Sequence, residues 1–294
     1  GHVTKDGGIA GPRILEHLVD VVLQFEGERG SRLRMVRAVK NRYGPTDEVG
    51  CFDLVDSGIR GLADPSGLFL SHRGAEKAGT AVTVTLEGRR PLVVEVQALL
   101  NPSEANNPKR AASGLDMSRL SLILAVLQRH AKAPVHKRDC YASTVGGVRI
   151  VESASDMALA VAIIGSLADQ MPYPGLICIG ELGLAGDVRP VPGVQRRLAE
   201  AARLGFTKAI VPKGAISSAE KALLPEGMQV AEVTTVEEAL DRALQPKDHQ
   251  NRHDHPSNSA DGARHDRAKT RPWRRPGDTA PDNSPVRLVP PPPP

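Results

Sequence analysis

The stretch AVKNRYGPTDE, residues 38–48, decides how the first part of the chain is interpreted. An apolar run ends in Lys40 and Arg42, and a Gly-Pro pair then breaks it. In a β-strand, residues i and i+2 point to the same face. The two cations should therefore reach past the strand end together, while Asn41 and Tyr43 face the opposite side. Two cations aimed at one spot indicate a bound anion, and a solvated charge pair is the alternative.

Strands and turns alternate around this stretch. The pattern predicts a short helix with apolar residues at helical spacing, and then three strands joined by polar turns. The helix residues are Ile14, Leu15 and Leu18, and the strands cover 19–25, 32–42 and 51–55. Such a meander is too small to bury a good core alone. Residues 1–72 are therefore predicted to be the edge of a larger sheet, in a chain that begins with Gly1 and is interpreted as a fragment.

Composition excludes several classes of protein. The 294 residues carry a net charge of +4, which is compatible with nucleic acid, but aromatic residues make up only 3%, too few for a large stacking platform. Cys51, Cys140 and Cys178 lie far apart, so the sequence predicts no zinc site and no disulfide framework. No apolar run reaches 18 residues, which predicts no membrane span. A reducing cytoplasm is the expected location.

Residues 78–246 predict a second, mixed α/β or α+β domain. Two apolar strands in 81–100 form a hairpin, and a helix follows Asp116, a suitable N-cap. The helix in 155–170 has almost no polar face and should be buried. A later helix should end at Gly205, a plausible C′ glycine.

The last segment, 247–294, has a different composition. It is rich in Arg, His, Asp and Pro and ends in five prolines. It has too few apolar residues for a core and is predicted to be disordered.

Four stretches together resemble one family, the bacterial DNA repair proteins RadA, also called Sms. They are GHVTKDGGIAGPRILEHLVDVVLQFEG, VKNRYGPTDEVGCFDL, EVQALLNPSEANNPKRAASGLDMSRLSLILAVL and GELGLAGDVRPVPGVQRRLAEAARLGFTKAIVP. The resemblance covers about residues 1–245. It implies an α/β fold: the C-terminal edge of a RecA-like sheet, a Lon-protease-like (ribosomal S5 domain 2-like) α+β domain, and the tail.

The resemblance also implies a function. Members have a four-cysteine zinc finger, a RecA-like ATPase and the Lon-like domain. They are DNA-dependent ATPases that promote branch migration in recombinational repair, thought to work as hexameric rings. DNA, single-stranded and branched, and a recombinase are the implied partners. The printed sequence contains neither the finger nor a G-x-x-x-x-G-K-[ST] phosphate loop, so zinc and most of the contacts to ATP with Mg²⁺ are expected upstream. The fragment alone should not hydrolyse ATP.

In ring motors similar to this family, the nucleotide lies between subunits. The resemblance gives Lys40 and Arg42 the role of cations that reach the neighbour's γ-phosphate, where negative charge develops during phosphoryl transfer. The Gly-rich loop before the first strand carries Lys5 and Arg13. The resemblance implies that they meet DNA phosphates, or in the case of Lys5 that it senses nucleotide, and an ordinary flexible loop is the alternative.

The segment 101–114 is a polar loop by its sequence. The resemblance implies that Lys109 and Arg110 contact DNA there, and a plain surface loop is the alternative.

A Lon-like serine peptidase is the alternative function. Such a peptidase needs a serine nucleophile and a lysine that accepts its proton. The matching positions hold Asp156 and Gln195, so the domain is predicted to be proteolytically inactive, with Asp156 as a helix N-cap. A shift of one residue would offer Ser155 but still no lysine. A non-enzymatic assembly module is the third possibility. The helix that contains Gln195 also carries three arginines, which are interpreted as a solvated face, with a DNA track as the alternative: Arg196, Arg197 and Arg203.

Overall fold

The computed structural model describes residues 18–27, 32–62, 65, 69–70, 77–105 and 107–246, and the backbone of 2–3 and 9–10. His2–Val3 (β1) and Ile9–Ala10 (β2) form a short antiparallel pair. The predicted helix lies outside the described residues except at Leu18, and the tail predicted for 247–294 lies wholly outside them.

The first sheet is an antiparallel meander, as predicted, but it has four strands instead of three. Their order is β3 (Val21–Glu26), β4 (Leu33–Asn41), β5 (Val49–Val55) and β6 (Gly58–Leu62). The fourth strand was missed because its sequence, GIRGL, has two glycines and a charged residue among only two apolar ones.

The two faces of this sheet differ. One face is buried and joins the main hydrophobic core through Leu33, Met35, Val49 and Cys51. The other face exposes apolar side chains: Leu23, Phe25, Leu54 and Ile59.

The second sheet confirms the predicted hairpin. Its strand β7 (Thr80–Glu87) pairs along its whole length with residues 90–97 of the longer strand β8 (Arg90–Pro102). The strand β10 (Arg138–Thr144) pairs antiparallel with β8 and parallel with β9 (Arg110–Ser113). The strand β9 corrects the prediction that 101–114 is entirely loop.

Helices cover the second sheet. The helix α1 (Met117–Arg129) is capped by Asp116, whose side chain accepts the N–H of Arg119, as predicted. The helix α2 (Asp156–Ala168) is buried along most of its length and packs on β7 and β8, which confirms the predicted buried helix.

A small parallel sheet follows, in the order β11 (Leu176–Cys178), β14 (Lys208–Pro212) and β15 (Gln229–Val233). The strands β12 (Glu181–Leu182) and β13 (Val188–Arg189) form a separate hairpin. The helices α3 (Val194–Arg203), α4 (Ser218–Lys221) and α5 (Val236–Ala243) complete the fold. As predicted, α3 is followed by Gly205 with a φ of +85°.

The first sheet touches the hairpin of the second. The backbone N–H of Arg89 donates to the carbonyl oxygen of Asp47 at 2.7 Å. A Cβ added to Gly88 would lie 2.3 Å from that oxygen, so only glycine fits this contact. Arg37 and Glu87 add an ion pair of 2.9 Å.

These elements confirm the predicted fold class, a mixed α/β chain in which an antiparallel sheet precedes an α+β arrangement. In the part of the chain that the structure describes, no helix combines the length and apolar character needed to cross a bilayer.

Candidate functional site

The strand β4 ends at the predicted cation pair. The side chain of Lys40 donates from Nζ to the carbonyl oxygen of Val19 at 2.8 Å. The guanidinium of Arg42 donates from Nη1 to Oδ1 of Asp20 at 3.0 Å. The two cations therefore reach neighbouring residues of one segment, the lead into β3. The structure brings them to the same edge of the sheet, as the spacing predicted.

The prediction that Tyr43 faces the opposite side is wrong. Its hydroxyl donates to Oδ2 of Asp20 at 3.0 Å, so it meets the same carboxylate as Arg42. The reason is that the strand ends at Asn41 and residues 42–44 bend, so the alternation of side chains stops there.

Asn41 organises this bend. Its Oδ1 accepts the N–H of Tyr43 at 3.1 Å, and its Nδ2 donates to the carbonyl oxygen of Pro45 at 3.1 Å. Asparagine suits a turn because its side chain can imitate a backbone hydrogen-bonding group. The turn fixes where the chain leaves the strand, and so where Arg42 stands.

The ion pair of Arg42 with Asp20 is accessible to solvent. The side chain of Arg42 is 71% exposed and that of Asp20 is 45% exposed. Within the described residues, hydrogen bonds occupy one of the N–H donors of this guanidinium, and a guanidinium has five. An incoming anion can therefore bind to the remaining donors without breaking the pair with Asp20.

The two other predicted DNA and nucleotide contacts in this part, Lys5 and Arg13, lie outside the described residues.

The first protease-like position is built into the fold as an ion pair. Asp156 is 2% exposed, and its carboxylate accepts from Nε of Arg119 at 3.0 Å and from Nη2 of the same residue. It also accepts the backbone N–H of Leu182 at 3.1 Å. The predicted capping role is wrong, because Ser155 is the N-cap and Asp156 is the first helical residue.

The other residues considered for proteolysis do not form a dyad. Ser155 is buried, and its hydroxyl donates to the carbonyl oxygen of Glu152 at 3.3 Å. Gln195 lies in the first turn of α3, and its Nε2 is buried without a hydrogen-bond partner among the described residues.

A cleft of about 460 Å³ lies beside these residues. Among the described residues, no lysine lines this cleft. The lining residues are Arg119, Val151, Glu152, Ser153, Ala154, Glu181, Val191 and Pro192. The polar groups of this lining are bonded to other protein groups, since Arg119 pairs with Asp156, Glu152 with an arginine of α3, and the Ser153 hydroxyl with Glu181. Among the described residues, this lining therefore offers no lysine to act as the general base of a serine–lysine dyad.

The prediction of a solvated arginine face on α3 is wrong at Arg197. This side chain is fully buried, at 0% exposure. It forms a two-point ion pair with Glu152 and donates to the carbonyl oxygens of Val84 and Pro192. Burial is possible because every part of the guanidinium meets an acceptor.

The two adjacent basic residues of the segment 101–114 have different environments. Lys109 is exposed, and its backbone N–H donates to Oδ1 of Asp139 at 2.8 Å. That hydrogen bond, and one from Ser103, hold the pKa of Asp139 below its usual range. The side chain of Arg110 instead donates to the backbone carbonyls of 109, 135 and 138. It therefore fixes the strand β9 to its surroundings.

Sequence reasoning missed Asp20 and Arg119, the two partners that hold the predicted residues. A carboxylate opposite Arg42 could be found only from the strand register. Arg119 could be found only from the packing of α1 on α2.

Comparison with known proteins finds similarity over most of the chain. Residues 146–215, which include both protease-like positions, match the family model described as subunit ChlI of Mg-chelatase. The chain is 55% identical over 240 residues to the DNA repair protein RadA of Mycolicibacterium smegmatis, covering 82% of this chain and 50% of the relative. The RadA of Mycobacterium tuberculosis is 53% identical over 250 residues, covering 85% and 51%. The RadA of Bacillus subtilis is 45% identical over 244 residues, covering 83% and 53%.

The fold and these matches define a mixed α/β protein with a ChlI-like segment inside its second part. The chain belongs to the RadA family and corresponds to its C-terminal region. It spans about half the length of the curated relatives it matches.

Proposed function

We propose that this chain is part of a DNA repair ATPase that assembles into a ring. In this assembly Lys40 and Arg42 complete the nucleotide site of the adjacent subunit. The proposal is supported by relatives that are named DNA repair proteins. The single observation that carries it is the position of Arg42, which is exposed just after the end of β4 and has one guanidinium donor hydrogen-bonded within the described residues.

The chemistry suits a triphosphate. Bound ATP with Mg²⁺ would supply a phosphoryl group whose oxygens gain negative charge as the terminal bond breaks. Arg42 offers a planar fork of donors that fits phosphate oxygens, and Lys40 adds a point charge. The described residues would supply only part of the phosphate site, because they offer the cations Lys40 and Arg42 but no phosphate-binding loop. The remaining contacts belong to another part of the protein or to another subunit.

The rest of the proposal concerns DNA. The energy of hydrolysis would drive branch migration of recombination intermediates, on single-stranded and branched DNA, together with a recombinase. Lys109 is exposed and suited to a phosphate contact. A hexamer in the cytoplasm is the assembly that we expect. Residues 78–246 would act as a scaffold and not as a peptidase, because the Asp156–Arg119 pair occupies the position of the nucleophile.

Steady-state ATP hydrolysis tests this function in the intact protein that contains this chain. Arg42→Ala and Lys40→Ala should leave nucleotide binding nearly unchanged and lower kcat at least about tenfold, since the cations act on charge that develops in the transition state. Wild-type kcat in both variants would overturn the proposal.

Mixed rings test whether the cations act on the neighbouring subunit. Arg42→Ala subunits should be combined with subunits whose phosphate loop is inactivated. Each subunit type alone should hydrolyse ATP slowly or not at all, but a mixed ring contains interfaces with one intact loop and one intact arginine. Recovered hydrolysis in the mixture is expected. No recovery, with mixed rings shown by crosslinking, would contradict action in trans.

A further inference from the structure

The strand pair β3–β4 contains an irregularity next to Arg42. From Leu23 to Glu26 the two strands pair in one register, and between Val22 and Leu23 the register shifts by one residue. Bulges of this type redirect side chains and are common beside functional sites. Here the shift places Asp20 opposite Arg42, and the backbone N–H of Arg42 donates to the carbonyl oxygen of Asp20 at 3.0 Å.

The carboxylate of Asp20 then binds two side chains at once. Its Oδ1 accepts from Nη1 of Arg42 and its Oδ2 from the hydroxyl of Tyr43, each at 3.0 Å. Both partners come from the bend after β4. The carboxylate therefore holds the guanidinium with one oxygen and the following residue with the other, while the side chain of Arg42 is still 71% exposed.

We propose that Asp20 is the positioning residue of Arg42, which it orients toward the phosphates of the adjacent subunit. This inference rests on the proposed function. A free arginine samples many rotamers, and ordering it when the nucleotide binds costs conformational entropy. A carboxylate that already fixes one edge of the guanidinium reduces that cost, and small errors in the position of a catalytic group lower turnover strongly.

Asp20 should contribute little to the stability of the fold. An ion pair this exposed contributes little to folding because solvent screens it. The effect of removing Asp20 should therefore appear in turnover and not in unfolding. This separates positioning from a general structural role.

The test uses the intact ATPase with Asp20→Ala, Arg42→Ala and the double variant. Asp20→Ala should lower kcat about five- to twentyfold with little change in KM. In the double variant, Asp20→Ala should cause no further loss beyond that of Arg42→Ala, because the carboxylate acts only through the arginine. Asp20→Glu should recover part of the turnover, and Tyr43→Phe should cause a smaller loss of the same kind.

Asp47→Ala is the matched control. Asp47 is 47% exposed and pairs with Arg89 at 3.4 Å, which resembles the environment of Asp20 without any contact to Arg42. It should leave kcat unchanged, and thermal unfolding should show that all variants fold.

Two results would overturn the inference while leaving the proposed function intact: wild-type kcat in Asp20→Ala, or losses that multiply in the double variant. Wild-type kcat in Arg42→Ala would instead remove the basis of the inference, and wild-type kcat in Lys40→Ala as well would overturn the proposed function.

Discussion

Arg197 and Glu152 form a two-point ion pair, with Nη1–Oε1 at 2.5 Å and Nη2–Oε2 at 2.7 Å. The arginine is fully buried. The carboxylate also accepts the backbone N–H of Leu86 at 2.8 Å, and the guanidinium also donates to the carbonyl oxygen of Val84. The pair therefore connects α3 to β7 and to the chain just before α2.

Removing the arginine should strongly destabilise the chain. Arg197→Met leaves the charge of Glu152 without its cationic partner and removes a donor from two backbone carbonyls, and breaking a buried pair of this type costs about 3–5 kcal/mol. The measurement is urea unfolding of the 294-residue chain. Arg196→Met is the control, because this exposed residue makes one hydrogen bond of 3.3 Å and should change stability by less than about 0.5 kcal/mol. Equal stability of the two variants would show that the ion pair is not a major contact.

The error at Arg197 shows what a sequence pattern can and cannot predict. The helical period and Gly205 predicted the helix α3 and its end correctly. Burial of one arginine depends on an acceptor 45 positions away, and nothing local indicates that Glu152 lies there. Charged residues are seldom fully buried, so a solvated face was the reasonable prediction.

The same limit applies to the candidate site. The spacing of Lys40 and Arg42 predicted that both cations reach one edge of a sheet, and the structure brings both to residues 19–20. Their partner Asp20 was not predicted, because its place depends on the one-residue register shift beside Leu23. With continuous pairing, Asp20 would have lain opposite Asn41, and the tyrosine contact could not have been foreseen.

The buried pair of Asp156 with Arg119 predicts the outcome of restoring a serine. Asp156→Ser leaves Arg119 and the N–H of Leu182 without their acceptor, so the chain should lose about 3 kcal/mol of stability. No peptide hydrolysis should appear, because the cleft lining has no lysine. The measurements are urea unfolding and cleavage of a fluorogenic unstructured peptide. Hydrolysis by the wild-type chain that disappears in Ser155→Ala would contradict the scaffold assignment.

The segment 101–114 predicts two different effects for two adjacent basic residues. Lys109→Ala should weaken DNA binding and reduce the slope of log affinity against log salt by about 1, as expected for one lost phosphate contact. Arg110→Ala should instead lower stability by about 1–3 kcal/mol, because its backbone acceptors lose their donor. Fluorescence anisotropy with labelled single-stranded DNA measures the first effect and urea unfolding the second. Lys213 is an exposed lysine elsewhere in the chain, and Lys213→Ala is the control for DNA binding. If Lys213→Ala weakened DNA binding as much as Lys109→Ala does, a specific contact of Lys109 would be contradicted.

The contact between the two sheets predicts a pH dependence of stability. Burial raises the pKa of Glu87 above its ordinary value of 4.5, and the hydrogen bond and charge of Arg37 offset only part of this effect. A raised pKa means that folding favours the protonated carboxyl. Its contribution to stability is therefore complete below pH 4.5 and is lost as the pH rises through the folded-state pKa. Glu87→Gln keeps an acceptor for Arg37 but does not titrate. As the pH rises from 4.5 towards neutrality, the free energy of unfolding of this variant should therefore increase relative to that of the wild type.

Arg37→Met sharpens this test, because it removes the interaction that lowers the pKa of Glu87. Its stability should fall more steeply over the same pH range than that of the wild type. Unfolding by urea at several pH values gives all three curves. Parallel curves for the wild type and Glu87→Gln would mean that Glu87 titrates alike in the folded and unfolded chains. Burial against the first sheet would then not control its protonation, and the contact that joins the sheets would be looser than the 2.9 Å ion pair indicates.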